Sequence, residues 1–216
     1  MIAIVDYDAG NLRSVSKALE QLGHANLITA SARDIRHADG LVLPGVGAAG
    51  AAMRELRQRD LIEPLREFVA SGKPFLGVCL GLQVCMDWSE EDGGVECLGL
   101  LRGGVRLMPG GPGLKIPHMG WNTVRLHRRH PGLDGIADNS YFYFVHSYSV
   151  EPSGQVAMVG ETEHGVAFAS VLAAGNVLAT QFHPEKSGDD GLRIYANFGR
   201  LCESRSLAEP AAAAVS

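Results

Sequence analysis

In the first half of the chain, short unbroken apolar runs alternate with stretches whose apolar residues recur every three or four positions. Residues 1–7 read MIAIVDY, an apolar run of the kind that forms a parallel strand covered on both faces. After a turn at Asp8-Ala9-Gly10-Asn11, Leu12, Val15, Leu19 and Leu22 share one helical face, and Gly23 is suited to end the helix. Strands are predicted over 26–29 and 40–43, and Pro44-Gly45-Val46-Gly47 breaks the chain after the second of them. Helices are predicted over 48–57 and 60–70, the latter with Leu61, Leu65 and Phe68 on one face and Gly72 and Pro74 ending it. A strand over 75–78 and a helix over 80–86 follow. This alternation predicts an α/β fold: an open, mostly parallel central sheet flanked by helices.

The pattern then changes. Strand signals dominate at 101–107, 141–145, 155–159, 166–172 and 176–181, with Ala173-Ala174-Gly175-Asn176 read as a hairpin connection, so antiparallel strands are expected in the second half. Residues 192–202 form a final amphipathic pattern. The stretch 207–216 is Ala-rich with nothing to pack. No repeat or linker is visible. One domain over 1–203 with a disordered tail over 204–216 is the expected organisation.

Composition narrows the function classes. The chain has 216 residues, 46% hydrophobic and 20% charged, an ordinary globular balance. Lys plus Arg number 19 against 24 Asp plus Glu, so the formal charge is -5, and no basic block offers a phosphate-binding surface. No apolar stretch is long enough to span a bilayer, and Asp6 and Asp8 stand where a secretion signal would be basic. A cytoplasmic protein is expected. None of the four cysteines, Cys79, Cys85, Cys97 and Cys202, forms a C-x-x-C pair, so neither a structural zinc site nor disulfides are expected. Cys85, Cys97 and Cys202 read as small buried apolar residues.

Cys79 differs. Gly77-Val78-Cys79-Leu80-Gly81-Leu82-Gln83 lies between an apolar strand and a helix, with glycines two residues either side of the cysteine. This is the nucleophile-elbow pattern with Cys in place of Ser. The following helix directs its N-terminal amides toward the sulfur and favours the thiolate. Gln181-Phe182-His183-Pro184-Glu185-Lys186 supplies a base and a carboxylate two residues apart across a stiffening proline, an arrangement in which the carboxylate sets the imidazole tautomer. Pro44-Gly45-Val46-Gly47 follows a parallel strand and should share the sheet edge with Cys79, where its backbone N–H groups could hold an oxyanion. A Cys–His–Glu triad with an oxyanion loop is the chemistry these segments predict together. Taken singly, each segment also suits a core cysteine, a polar turn or a plain turn.

These segments, with Pro117-His118-Met119-Gly120-Trp121-Asn122 and Tyr143-Phe144-Val145-His146-Ser147-Tyr148, resemble the class I (triad) glutamine amidotransferases over residues 2–201. The elbow and the H-P-E are shared across that family. The H-M-G-W-N and Y-F-V-H-S-Y segments narrow the resemblance to the glutaminase subunits of imidazole-glycerol-phosphate synthases. The resemblance implies Cys79 as nucleophile, His183 as base and acid, and Glu185 as orienting carboxylate. It further implies an oxyanion hole of Gly45, Val46 and Gly47 with the Leu80 amide, and Gln83, Glu91, Ser147 and Tyr148 as glutamine-binding residues. It puts Asn11, His118, Trp121, Asn122, Tyr143 and Lys186 toward a cyclase partner, a (β/α)8 barrel, in a heterodimer of histidine biosynthesis. No metal or organic cofactor is implied. Ala48 and Ala49 stand where this family usually carries an aromatic residue. Three other readings stay open at this point: another glutaminase subunit such as that of pyridoxal phosphate synthase, a free-standing cysteine hydrolase, and an inactive interaction subunit.

Overall fold

The computed structural model describes residues 1–8, 10–111 and 114–206; Ala9 of the first turn and residues 207–216 of the expected tail lie outside the described residues. The chain begins with strand β1 (Ile2–Val5), helix α1 (Leu12–Gln21), β2 (Asn26–Thr29), α2 (Ala32–His37) and β3 (Gly40–Leu43). Helices α3 (Ala49–Gln58) and α4 (Ile62–Ala70), β4 (Phe75–Val78) and α5 (Leu80–Cys85) complete the alternating half. The second half contains β5 (Trp88–Ser89), β6 (Val95–Glu96), β7 (Gly103–Leu107), β8 (His118–Leu126) and β9 (Ser140–His146). Then come β10 (Tyr148–Pro152), β11 (Ala157–His164), β12 (Val166–Ala174), β13 (Val177–Thr180) and α6 (Gly188–Ser206).

The apolar runs of β1, β3, β4 and β13 are buried at every position, as expected for strands covered on both faces. Strands run in the order β2-β1-β3-β4-β13, all parallel, and continue as β12-β10-β7-β5-β6. The fold is therefore α/β, with helices flanking a central sheet whose first part is parallel and whose pairings from β13 to β7 are antiparallel. Two apolar clusters form the core. One joins the sheet to α3 and α4 through Met53, Leu56, Leu65 and Phe68. The other joins it to α1 and α6 through Val15, Leu19, Ile194 and Phe198. No described helix is long and apolar enough to cross a membrane.

Several predicted elements differ from the observed ones. The last helix is longer at both ends than its periodicity suggests and runs through Ser206, past the expected tail boundary. Helix α2 is absent from the sequence reading because only Ile35 of its six residues is buried; it is set instead by Ser31, whose side chain accepts from the Asp34 amide at 3.3 Å. Strand β8 is also new. Its outward positions Met119 and Trp121 are apolar and exposed, which hides the alternation a half-buried strand normally shows.

One close approach fixes α5 against the sheet. A Cβ added at Gly81 would lie 1.8 Å from the Leu43 carbonyl oxygen at the end of β3. Gly81→Ala is therefore expected to push α5 off β3 and to cost about 1–3 kcal/mol. Urea unfolding checks the loss; an unchanged midpoint would show that the helix can slide freely.

Candidate active site

Residues predicted to carry chemistry follow β1, β3, β4 and β13, and these strands are parallel, so their C-terminal ends open on one sheet edge. The strand order reverses direction beside β1, where open α/β sheets form their binding crevice. In the β4–β13 register Val78 lies opposite Thr180, and the Cys79 amide donates to the Thr180 carbonyl at 2.7 Å. Cys79 and Gln181 thus leave adjacent strands side by side. Cys79 has φ +54° and ψ -109°, a conformation costly for any residue with a Cβ, on the order of 1–3 kcal/mol. The next turn holds it there: the Leu82 and Gln83 amides donate to the Cys79 carbonyl at 3.0 and 3.2 Å. Cys79 is only 5% exposed and lines a cavity.

His183 and Glu185 lie at the start of a 3-10 turn (Pro184–Lys186). His183 Nδ1 is 2.9 Å from Glu185 Oε1, and both side chains are almost completely buried. Nδ1 donates to this carboxylate, and Nε2 is the ring nitrogen on the far side from it. That Nε2 is the single buried side-chain nitrogen or oxygen without a hydrogen-bond partner among the described residues. Burial alone would lower the His183 pKa; the Cys79 sulfur and the Glu185 carboxylate oppose this and push it up to about 9. The Tyr195 hydroxyl of α6 donates to Glu185 Oε2 at 3.4 Å. The turn itself is tied to β9: the His183 amide donates to the Tyr143 carbonyl at 3.0 Å, and the Tyr143 amide to Ser187 Oγ at 3.0 Å.

Pro44-Gly45-Val46-Gly47 is pinned at both ends and open in the middle. The buried Tyr7 hydroxyl donates to the Pro44 carbonyl at 2.6 Å. Beyond the loop, the Ala49 amide donates to Glu91 Oε2 at 2.7 Å. Val46 and Gly47 between these anchors are exposed, and Gly47 has φ +96° with open space, nothing within 4 Å, where a Cβ would stand. Leu80 opens α5, where the first amides have no intrahelical acceptor.

A cavity of about 430 Å³ collects these parts: Val46, Gly47, Cys79, Leu80 and His183 line it together with Gln83, Glu91, Ser147 and Tyr148. Its size suits an amino-acid-sized ligand. Gln83 Nε2 is already engaged, donating to the Tyr148 carbonyl at 3.0 Å and to Gln181 Oε1 at 3.2 Å. Gly45 is packed beneath the loop against Tyr7 and Leu80 and does not line the cavity.

The residues expected to face a partner divide into two groups. Trp121 is 56% exposed on β8, its ring edge-on to Tyr143 of β9 at 6.2 Å. Lys186 is exposed, with Nζ 5.8 Å from the Tyr143 ring centre, and lies at the cavity mouth. Asn11, half-buried before α1, accepts from Ser14 Oγ at 2.8 Å. Asn122 is half-buried and turned inward, its Nδ2 donating to the Glu163 carbonyl at 2.8 Å. His118 is a correction: it is 3% exposed, stacked on Phe144 at 4.8 Å, and cannot touch a partner directly.

Tyr7, Gln181, His146 and Tyr195 enter the site or its support although the sequence alone assigns them no role. Gln181 sits inside the Q-F-H-P-E segment, so its closeness to His183 is legible there; its contact with Cys79 depends on strand register. Tyr195 lies ten residues past Glu185, and only the return of α6 brings it back.

A family model described as glutamine amidotransferase class-I matches residues 3–201. The chain is 49% identical over 199 residues to a protein of Rhodopirellula baltica named imidazole glycerol phosphate synthase subunit HisH, covering 92% of this chain and 96% of that one. It is 44% identical over 201 residues to a protein of the same name from Dehalococcoides mccartyi, covering 93% and 97%. A crystal structure of a glutamine amidotransferase superposes with a TM-score of 0.74 at 19% identity, covering 94% of this chain and 100% of the other, a likeness of fold.

Proposed function

The chain belongs to the class-I glutamine amidotransferases, and we propose that it is the glutaminase subunit of an imidazole-glycerol-phosphate synthase, working in the cytoplasm in histidine biosynthesis. It hydrolyses L-glutamine to glutamate and ammonia. The observation that carries this reading is His183: one ring nitrogen is held by buried Glu185, the other is buried and unpartnered, and the residue lines the same cavity as Cys79.

In this mechanism the Cys79 thiolate attacks the side-chain amide carbon of glutamine. Negative charge moves to the amide oxygen, where backbone N–H groups of Val46, Gly47 and Leu80 receive it, a contribution of about 3 kcal/mol per donor. The C–N bond cannot break with an amide anion as leaving group. His183, whose pKa of about 9 keeps a proton on it at neutral pH, supplies that proton, and ammonia departs. The acyl group remains as a thioester on Cys79. Water, giving its proton to His183, attacks the thioester and releases glutamate. Glu185 and Tyr195 act throughout by holding the imidazole in one orientation.

Ammonia released into water becomes ammonium, which is not a nucleophile, so the product needs a dry route to a second site. A cyclase subunit, a (β/α)8 barrel that makes imidazole glycerol phosphate and an aminoimidazole carboxamide ribotide, is the proposed acceptor, in a heterodimer. Exposed Trp121, half-buried Tyr143 and exposed Lys186 at the cavity mouth offer a surface for that contact.

A glutamine-like electrophile tests the assignment. It is expected to label Cys79 before the other three cysteines. Cys85, Cys97 and Cys202 are buried, and burial pushes the Cys97 and Cys202 thiols up to about 12. Peptide mapping that finds first labelling elsewhere would remove Cys79 as the nucleophile.

A further inference from the structure

We propose that Gln181 is the hydrogen-bond donor that holds the Cys79 sulfur, and that the buried pair His118 and His146 acts as a set of positioning residues that aims it, through Gln83. The inference rests on Cys79 being the nucleophile and adds groups that the triad does not include.

Gln181 is completely buried, and its Nε2 lies 3.8 Å from Cys79 Sγ. A glutamine amide can present either its nitrogen or its oxygen. Here the choice is made by Gln83, whose Nε2 donates to Gln181 Oε1 at 3.2 Å and so leaves the N–H end for the sulfur. Gln83 is oriented in turn by its second hydrogen, given to the Tyr148 carbonyl at 3.0 Å. That same carbonyl is 2.8 Å from His146 Nδ1.

A backbone carbonyl can only accept, so the direction of every remaining bond follows from it. His146 carries its hydrogen on Nδ1, and its Nε2 is an acceptor. His118 Nδ1, 3.1 Å from that Nε2, must donate. His118 Nε2 is then an acceptor, and Asn122 Nδ2 lies 3.2 Å from it. The polarity is unique: Asn122 to His118 to His146 to the Tyr148 carbonyl, which Gln83 also meets on the way to Gln181 and the sulfur. It needs both imidazoles neutral. Burial, helped by the neighbouring His164 ring, supplies this, lowering His118 to about 4 and His146 to about 3.

Such a chain is costly to keep in a core. His118 is stacked on Phe144 on one side and on His164 of β11 at 4.2 Å, and is edge-on to Phe168; most of this contact is ring surface that an apolar side chain could also make without hydrogen-bond partners. What the polar chain achieves is a fixed donor at the one atom that must carry negative charge before glutamine arrives. The other titratable or charged groups around Cys79 are His183 and Glu185 after β13, Tyr7 after β1, and Glu91 and Lys186 on the cavity wall. None of them is altered by the substitutions below.

The test is the rate of iodoacetamide alkylation of Cys79 in the full chain, followed by peptide mapping across the titration range. Gln181→Leu is expected to move the midpoint of the profile upward by about half to one pH unit, that is, to leave about three- to tenfold less thiolate below the midpoint. His118→Phe, which keeps the stack on Phe144 but removes both ring nitrogens, is expected to move it the same way by less. His118→Asn, with an amide nitrogen close to the Nδ1 position, is expected to keep the wild-type midpoint. A Gln181→Leu protein that is folded by its unfolding midpoint and keeps the wild-type profile overturns the proposal. Should that variant not fold, identical profiles for His118→Phe and His118→Asn overturn it instead. Glutamine hydrolysis by Cys79→Ala is measured alongside: its survival would strike the nucleophile itself, whereas its loss with unchanged profiles strikes only the relay.

Discussion

Cys79→Ala is expected to lower glutamine hydrolysis by at least about 10⁴-fold, while ammonia-dependent synthesis by the partnered cyclase continues at the wild-type rate. The size follows from chemistry. Without the sulfur no thioester can form, and what remains is direct attack by water, assisted by the oxyanion donors and by binding alone. The substitution is also structurally clean. Alanine keeps the Cβ and so neither relieves nor worsens the φ +54° backbone at this position. The lost contacts are the long ones from Sγ, 3.9 Å to the Val145 carbonyl and 3.8 Å to Gln181. Added ammonia bypasses the missing step, which separates loss of chemistry from loss of assembly. Glutamate release near the wild-type rate would refute the mechanism.

A second large effect is expected from the partner. Glutamine hydrolysis by the isolated chain should be about 10²–10³ slower than in the complex with cyclase and its nucleotide ligand, the amount one missing oxyanion donor accounts for. The loop geometry gives the reason. Pro44 is held from below by Tyr7 and Ala49 from above by Glu91, so the segment cannot drift away. Between those anchors, exposed Val46 and Gly47 have little to define the direction of their shared peptide, and a glycine at φ +96° tolerates its rotation. One orientation presents a carbonyl to the cavity, the other an N–H. Partner and nucleotide raise the rate if they bind the second state more tightly than the first. Measuring kcat alone, with cyclase, and with cyclase plus nucleotide checks this; equal values would end the gating idea and leave the nucleophile assignment intact.

The residues of the proposed triad are legible in the sequence because each sits in a short segment at the end of a buried strand, where local glycines and a proline mark the turn. The parallel half of the sheet is legible for a related reason: β1, β3 and β4 are apolar runs with clear stops after them. What cannot be read is what depends on distant segments meeting. His118 looks like a surface residue in a motif, and only the pairing of β8 with β9, His118 opposite His146, buries it. Tyr195 looks like a core aromatic of a helix, and its hydroxyl finds Glu185 only in the folded chain. Strand β10 escapes the sequence pattern because half-buried Tyr148 and Ser149 resemble loop residues until β7 pairs with them.

The central position of β13 bears on when the protein becomes active during its synthesis. This strand is inserted between β4 and β12, and it delivers Gln181, His183 and Glu185 beside a cysteine made about a hundred residues earlier, 102 in the case of Gln181. At about 5–20 residues per second, the elbow waits several seconds on the ribosome before its partners exist. Throughout that interval the cysteine has neither base nor Thr180 carbonyl to hold its amide. On the proposed mechanism, a chain that terminates or is clipped before β13 is expected to be inert rather than a leaking source of ammonia.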